Sequence, residues 1–152
     1  SKHILVTRTF SKLFSMAGCR LGYVVGHPDE IKMVQKLCTP HNTNAFAMLI
    51  AEKILEAPGI LTYLIENYNL GRDYLVKDTH GYLHKGDAGN FIFIKPKTDA
   101  VSIVDKMKSE KQILIKSYSN VGNFGTCLRV TIGARQYMER FLDALFELDN
   151  IN

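Results

Sequence analysis

Residues 7–23 read TRTFSKLFSMAGCRLGY, and this stretch decides how the rest of the chain is interpreted. It follows a short apolar run, residues 3–6, of the kind found in buried parallel strands. Lys12 stands beside the hydroxyl residues Thr9 and Ser11, and Arg20 follows in the same stretch. An amine, two hydroxyls and a guanidinium therefore lie close together in sequence, directly after a predicted strand.

The composition is that of an ordinary globular protein. The chain has 152 residues, of which 46% are hydrophobic and 22% are charged, and its formal net charge is +4. It contains neither a block of about five like charges nor an apolar run of about 18 residues, so we predict no nucleic-acid partner and no membrane span. Its three cysteines are widely spaced and form no C-x-x-C motif, which favours a reduced, cytoplasmic setting over a disulfide framework.

The hydrophobic pattern predicts an α/β chain in two parts, with a boundary between residues 78 and 79. In the first part we predict strands at 3–6 and 21–26, then a helix that starts at Pro28, a buried helix over 45–57 and an amphipathic helix over 60–77. In the second part the predicted order is strand, helix, strand, strand, helix, at residues 90–95, 99–110, 112–116, 127–132 and 136–148. Two strands are too few for a stable sheet under helices, so the first part is expected to belong to something larger.

Lys12 and its neighbours suit a cofactor that carries both an aldehyde and a phosphate. A lysine becomes a covalent catalyst when burial or a nearby cation lowers the pKa of its amine, and Arg20 is a candidate cation. The hydroxyls of Thr9 and Ser11 and the planar fork of Arg20 are donors that an anionic phosphate needs. One amine for an aldehyde and several donors for a phosphate match pyridoxal 5′-phosphate. A solvated loop lysine is the plainer alternative, and spacing alone leaves it open.

The segment RTFSKLFSMAGCRLGYVVG, residues 8–26, resembles the lysine signature of the fold-type I pyridoxal-phosphate aminotransferases. It is most similar to the histidinol-phosphate aminotransferase branch of that family. The resemblance implies that Lys12 is the catalytic lysine that binds the cofactor covalently. It also implies that Arg20, Thr9 and Ser11 bind the cofactor's phosphate.

Two further segments support the resemblance near the other end of the chain. CLRVTIGARQYMERFLDAL, residues 127–145, is similar to the family's C-terminal strand and helix, and Arg129 falls on the arginine that receives the substrate's carboxylate or phosphate. Strand alternation places Arg129 on the face opposite the apolar Leu128 and Val130, and Arg135 is a second candidate. GNFIFIKP, residues 89–96, is similar to the family's small-domain strand and implies that Asn90 lines the substrate side, although a turn-forming asparagine is the plainer alternative.

The resemblance extends from Ile4 to Leu148. It implies that residues 1–78 are the C-terminal part of a large cofactor-binding domain with a mostly parallel sheet, and that residues 79–152 form a small α/β domain. The implied reaction moves an amino group between an amino acid and a keto or aldehyde substrate. The implied assembly is a homodimer, with the loop PHNTN at residues 40–44 near the partner subunit.

The family's aspartate for the pyridine nitrogen and its aromatic residue that stacks on the ring lie N-terminal to the lysine strand. We therefore expect this chain alone to be inactive. Two alternatives remain open, namely a pyridoxal-phosphate decarboxylase of a phosphorylated amino acid and a non-catalytic structural module. No metal site is predicted, because Gly81 between His80 and His84 argues against a helix that would bring both imidazoles to one ion.

Overall fold

A computed structural model describes residues 3–39, 43–79, 81–86 and 88–149. The described residues form α-helices and two antiparallel sheets, which confirms the predicted α/β class. The chain divides into two compact units, Ser1–Leu64 and Ile65–Asn152, so the division falls inside the third helix, whereas the predicted domain boundary follows that helix. None of the described helices is both long enough and apolar enough to cross a membrane.

The first unit contains a two-stranded sheet of β1 (Val6–Thr9) and β2 (Gly22–Val25). The second strand is where the sequence predicts it, whereas the first begins later than the predicted 3–6. The strands pair antiparallel, with Val6 opposite Val25, so the expectation of a mostly parallel sheet is not met within this pair. A parallel pair usually needs an α-helical crossover, whereas the twelve residues between these strands, 10–21, contain only a short 3-10 turn at Ala17–Cys19. Both strands are exposed along their whole length, whereas burial was predicted for the first.

Three helices follow in chain order: α1 (Pro28–Gln35), α2 (Ala45–Glu56) and α3 (Ile60–Lys77). Helix α1 begins at Pro28, as predicted, and the Asn44 carboxamide oxygen caps α2 by accepting from the Phe46 amide at 2.9 Å. The prediction that α2 is buried was wrong, because only Ala47 and Ala51 are buried and Phe46 is 79% exposed. The two alanines stand one turn apart, so only a narrow stripe of the helix packs within this unit.

The second unit contains a four-stranded antiparallel sheet in the order β3 (His84–Lys85), β4 (Phe91–Ile94), β6 (Cys127–Thr131) and β5 (Lys116–Tyr118). The predicted order of strand, helix, strand, strand, helix is confirmed, and the two-residue strand β3 was not predicted. The bounds predicted for the second strand of this order, 112–116, were wrong, because β5 runs from Lys116 to Tyr118. Gln112 adopts a left-handed conformation with φ 56°, and the Ile113 amide donates back to the Met107 carbonyl at 2.9 Å. These residues complete a helix end instead of joining a strand.

Helices α4 (Ala100–Lys111) and α5 (Arg135–Leu148) share one hydrophobic core with the sheet of the second unit. The Asp99 carboxylate caps α4 by accepting from the Ser102 amide at 2.8 Å. Alternate strand residues and one side of each helix form this core, among them Ile92, Ile94, Leu128, Val130, Ile103, Met107, Phe141 and Leu145. The intervening strand residues, Phe91, Phe93 and Arg129 among them, therefore lie on the opposite, open face of the sheet.

The second half of α3 packs against the connection between β6 and α5. Gly71 is buried, and a Cβ atom added to it would lie 1.9 Å from the carbonyl oxygen of Gly133. Only glycine permits this approach of a helix to a neighbouring backbone. The contact holds α3 directly against the end of the strand that carries Arg129.

The buried Asp149, which follows α5, holds the connection between β4 and α4. Its carboxylate accepts from the Tyr82 hydroxyl at 2.8 Å and from the amides of Lys97 and Thr98 at 2.7 and 2.8 Å. Burial by itself would raise the pKa of Asp149, but the hydrogen bonds from Thr98, Lys97 and Tyr82 outweigh it and lower that pKa. Burial, together with the bond to Asp149 and its charge, raises the pKa of Tyr82.

Candidate functional site

Thr9 and Ser11 lie just before Lys12, at the start of the turn that presents it. Thr9 is the last residue of β1, and its Oγ1 accepts a hydrogen bond from the Ser11 amide at 3.0 Å. The two hydroxyl oxygens lie 2.9 Å apart. The Lys12 side chain, which follows them directly, is exposed. The structure therefore brings together three of the four predicted cofactor-binding residues.

Buried residues on both sides of Lys12 hold this turn in place. The Phe10 amide donates to the Leu21 carbonyl at 3.1 Å, and the Met16 amide donates to the Phe10 carbonyl at 3.0 Å. Phe10 is only 4% exposed, and it forms a small core with Met16 and with Ala51 of α2. The hydrophobic residues of the signature thus fix the backbone around Lys12 while its amine stays accessible.

Arg20, the fourth predicted residue, leaves the same loop at its other end. It follows a 3-10 turn, Ala17–Cys19, and it adopts a left-handed conformation with φ 52°. Its Nη1 donates to the Ala17 carbonyl at 3.3 Å, and the side chain is exposed. The hydrogen bond from Phe10 to Leu21 extends the pairing of β1 and β2 by one residue. Ser11 and Arg20 are the next residues on the two chains, so they leave the sheet side by side.

Two residues of this loop have unfavourable backbone conformations. Ser15 with φ 56° and Arg20 with φ 52° are both left-handed without being glycine. Such conformations cost about 1–3 kcal/mol each, and they are often found at functional sites. The strain is located in the turn that carries the predicted cofactor-binding residues.

The glycines of the signature have a structural role that the sequence did not indicate. In the sequence, Gly18 and Gly22 predict a backbone that can come close to a ligand. A Cβ atom on Gly22 would lie 2.6 Å from the Arg8 carbonyl oxygen, so Gly22 is required for the pairing of β1 with β2. A Cβ atom on Gly18 would have no atom of the described chain within 4 Å.

Two phenylalanines and a lysine surround Arg129 on the open face of the larger sheet. Arg129 lies opposite Phe93 of β4 on one side and opposite Lys116 of β5 on the other. Its Cζ atom lies 4.1 Å from the centroid of the Phe91 ring. No acidic residue occurs in the four strands of this sheet. The electrostatic environment of this face therefore favours an anion.

The surroundings of Arg129 and Arg135 differ in a way that separates the two candidates. Within the described part of the chain, the Arg129 guanidinium has no hydrogen-bond or ion-pair partner. Arg135 is engaged, because its Nε donates to the Glu139 carboxylate at 2.8 Å and its Cζ lies 5.1 Å from the Tyr74 ring centroid. The geometry favours Arg129 over Arg135 as the residue that binds an anionic group.

Sequence reasoning missed two neighbours of Arg129, namely Lys116 and Phe91. The predicted strand over 112–116 ended at Lys116, so the lysine had no assigned neighbour across the sheet. The alternation of Phe91 and Phe93 along β4 was a usable signal, because residues two apart share a strand face. The register of three strands was needed to place these side chains beside Arg129.

Asn90 lies just before β4 and is partly buried. Its carbonyl accepts from the Ile132 amide at 2.9 Å, which continues the pairing between β4 and β6 by one step. By alternation Asn90 falls on the face opposite Phe91, so the strand geometry does not bring it to the side of Arg129. Two side chains of α3 bind the backbone just before Asn90. The Arg72 guanidinium donates to the Gly86 carbonyl at 2.8 Å, and the Tyr68 hydroxyl donates to the Gly89 carbonyl.

Each group of candidate residues lies within one unit: Lys12 and its neighbours in the first, Arg129 and Asn90 in the second. Among the described residues, no cluster of three or more histidine, cysteine or acidic side chains could hold a metal ion.

Residues 1–145 match the family of class I and II aminotransferases. This chain belongs to that family. It is 36% identical over 148 residues to histidinol-phosphate aminotransferase 2 of Nitrosococcus oceani, and the match covers 94% of this chain and 41% of that enzyme. The chain spans about two-fifths of the length of the curated relatives it matches.

Solved aminotransferase structures have the same fold. The histidinol-phosphate aminotransferase of Clostridium acetobutylicum superposes with a TM-score of 0.82 at 22% identity, over 96% of this chain and 46% of that protein. The L-threonine-O-3-phosphate decarboxylase of Porphyromonas gingivalis superposes with a TM-score of 0.77 at 25% identity, also over 96% and 46%. The predicted fold-type I architecture is thereby confirmed, and Lys12 and Arg129 both fall inside the segment that matches the aminotransferase family.

Proposed function

We propose that the full-length protein containing this chain is a pyridoxal-phosphate-dependent aminotransferase of the histidinol-phosphate aminotransferase type. It would move an amino group between an amino acid and a keto or aldehyde substrate. The observation that carries this proposal is the turn around Lys12, where an accessible amine directly follows two hydroxyls 2.9 Å apart. That turn lies within the segment that matches the aminotransferase family.

The donor set of this turn fits the cofactor. The amine of Lys12 suits an aldehyde carbon, and the hydroxyls of Thr9 and Ser11 with the Arg20 guanidinium suit a phosphate. When bound, pyridoxal phosphate supplies an electron sink for a carbanion at the substrate's α-carbon. Lys12 would hold the cofactor covalently, and the same amine, when free, would take the proton from the substrate's α-carbon as a general base.

Arg129 is proposed to bind the anionic group of the substrate. Its guanidinium has no ionic partner among the described residues, and Lys116 across the strand pair adds a second positive charge. A planar guanidinium can grip a carboxylate or a phosphate through two parallel hydrogen bonds. Histidinol phosphate, the compound in the relative's name, is the first substrate to test. A role for Asn90 on the substrate side has weaker support, because strand alternation turns it away from Arg129.

The proposed enzyme is a cytoplasmic homodimer. The loop at residues 40–44 remains the proposed approach to the partner subunit, although residues 40–42 of that loop lie outside the described residues. Asn44, its last residue, caps α2. Asn44 is therefore tied to the helix that supports the Lys12 turn.

The test uses the full-length protein incubated with pyridoxal phosphate, reduced with borohydride and digested for peptide mass analysis. We expect the reduced cofactor on the peptide that contains Lys12, and we expect amino transfer from a panel of donors that includes histidinol phosphate. Lys12→Ala should lose both the mass addition and turnover. Lys32→Ala, which removes an exposed lysine of α1, should keep both. Unchanged turnover in Lys12→Ala would overturn the assignment.

A decarboxylase of a phosphorylated amino acid is the second candidate. The structural similarity to the L-threonine-O-3-phosphate decarboxylase favours it, because that protein shares the fold over the same part of this chain. Release of carbon dioxide from threonine O-3-phosphate without consumption of a keto acid would identify the decarboxylase. A full-length protein that loads no cofactor and turns over neither substrate would identify a non-catalytic module instead.

A further inference from the structure

The guanidinium of Arg129 lies over the ring of Phe91, its diagonal neighbour on the adjacent strand. Arg129 pairs with Phe93 in the register of β4 and β6, while Phe91 pairs with Thr131. The distance of 4.1 Å from Cζ to the ring centroid is well within the range of a cation–π contact. Both side chains are half-buried.

The Phe91 ring is itself fixed by an aromatic series that crosses the open face of the sheet. Phe91 meets Phe93 edge to face, with centroids 5.3 Å apart, and Phe93 meets Tyr118 of β5 edge to face at 6.0 Å. Edge-to-face packing restrains the orientation of each ring. The aromatic surface beside Arg129 therefore comes from two strands, β4 and β5.

This contact leaves the hydrogen-bonding groups of Arg129 unoccupied. A ring on one face of a guanidinium takes up none of its five N–H donors, which point outward in the guanidinium plane. Within the described chain these donors meet no acceptor. The arginine is thus held in orientation without being neutralised, which is the state that an anion can bind at the least cost in conformational entropy.

We propose that Phe91 is a positioning residue that holds Arg129 ready for the substrate's anionic group. The inference rests on the proposed role of Arg129. Immobilising a long side chain costs binding free energy, and a side chain that is already ordered avoids that cost. Loss of the ring is expected to weaken binding of a carboxylate by about two- to tenfold and to leave the maximal turnover nearly unchanged.

The experiment measures binding of succinate, a carboxylate without an amino group, to the full-length protein after incubation with pyridoxal phosphate. Calorimetry gives the dissociation constant without requiring turnover. The variants are Phe91→Leu, Phe91→Tyr, Arg129→Gln and the double variant Phe91→Leu/Arg129→Gln. Phe146→Leu is the matched control, because it removes a partly buried ring that stacks on Tyr82 with centroids 6.1 Å apart, away from Arg129.

We expect Phe91→Leu to bind succinate about two- to tenfold more weakly and Phe91→Tyr to bind nearly as the parent does. Phe91→Leu should have no further effect once Arg129 is replaced, and Phe146→Leu should bind normally. In kinetic assays the effect of Phe91→Leu should be in KM and not in kcat.

The results separate this inference from the proposed function. If Arg129→Gln weakens succinate binding but Phe91→Leu does not, Phe91 has no positioning role and Arg129 keeps its own. If Phe91→Leu has the same effect with and without Arg129, the ring acts on general stability, and the inference fails. If Arg129→Gln leaves binding unchanged, the proposed role of Arg129 and the role of Phe91 both fail.

Discussion

Thr9 Oγ1 lies 2.9 Å from Ser11 Oγ, and it accepts a hydrogen bond from the Ser11 amide at 3.0 Å. The threonine hydroxyl thus has two possible tasks, as a donor to a phosphate and as the acceptor that shapes the turn before Lys12. The serine hydroxyl accepts from the Thr9 hydroxyl, but the bond from the Ser11 amide that shapes the turn does not depend on it. The two tasks can be separated by substitution.

In the full-length protein we expect Thr9→Val to weaken retention of pyridoxal phosphate by about tenfold or more, because a hydrogen bond to a charged group contributes roughly 1.5–3 kcal/mol. Ser11→Ala should have a smaller effect, because it leaves the turn intact. Thr9→Ser should retain the cofactor nearly normally. The measurement is the apparent dissociation constant of the cofactor, and equal loss in Thr9→Val and Thr9→Ser would contradict a role for the hydroxyl.

The proximity of the residues around Lys12 could be predicted from the sequence. Lys12, Thr9 and Ser11 are close in the chain, so spacing alone brought them together. The position of β2 was predicted, whereas β1 was predicted at residues 3–6 and runs from Val6 to Thr9. The surroundings of Arg129 depend on the register of strands far apart in sequence. No local pattern gives that register, so Lys116 and Phe91 could be placed only in the structure.

The same distinction explains which elements were predicted. Helix α1 has a proline in its first turn and begins at Pro28, as predicted. Helix α4 begins at Ala100, one residue after its predicted start, because Asp99 is its cap. The predicted burial of α2 was wrong. Apolar composition shows that a helix can be buried, but it does not show that another part of the chain covers the helix. The apolar residues at 112–116 favour a strand, which is why one was predicted there. The left-handed conformation of Gln112, which ends α4, has no signature in the sequence.

The carboxylate of Asp149 should make the stability of the second unit dependent on pH. Its pKa is lower in the folded chain than in the unfolded chain, so its contribution is present above the unfolded value of about 4. That contribution is lost as the pH falls through the lower folded value. Asp149→Asn should lower the free energy of unfolding at neutral pH by about 1.5–3 kcal/mol, because bonds to a charged acceptor are weakened.

The measurement is urea unfolding of the full-length protein between about pH 6 and pH 3. The parent protein should lose more stability over this range than Asp149→Asn does. Asp105→Asn, which changes an exposed carboxylate on α4, should behave like the parent. Parallel pH profiles for the parent and Asp149→Asn would show that the buried carboxylate does not contribute in this way.

Gly71→Ala tests the contact between α3 and the connection after β6. Helix propensity alone predicts that alanine stabilises a helix by about 1 kcal/mol over glycine. The added Cβ atom would lie 1.9 Å from the Gly133 carbonyl oxygen, so backbone must move, and we expect a net loss of about 1–3 kcal/mol in the free energy of unfolding. Asn69→Ala on the exposed side of α3 should be neutral or slightly stabilising. A more stable Gly71→Ala protein would contradict this packing.

The isolated 152-residue chain is expected neither to bind pyridoxal phosphate specifically nor to transaminate. Lys12 is exposed, and the donors proposed beside it, Thr9, Ser11 and Arg20, would serve a phosphate and not the pyridine ring. The family resemblance places the partners of the ring N-terminal to the lysine strand. Large apolar side chains such as Leu37 and Phe46 are 86% and 79% exposed, which should drive self-association of the isolated chain.

The test is titration of the isolated chain with pyridoxal phosphate, alongside Lys12→Ala and Lys32→Ala versions. We expect all three proteins to react weakly and without saturation, as accessible surface lysines do, because the family resemblance implies that the partners of the ring lie N-terminal to the lysine strand. Light scattering should show concentration-dependent association in each of them. Saturable binding with micromolar affinity that disappears only in Lys12→Ala would contradict this expectation. It would show that the Lys12 turn is sufficient to select the cofactor without residues that bind the pyridine ring.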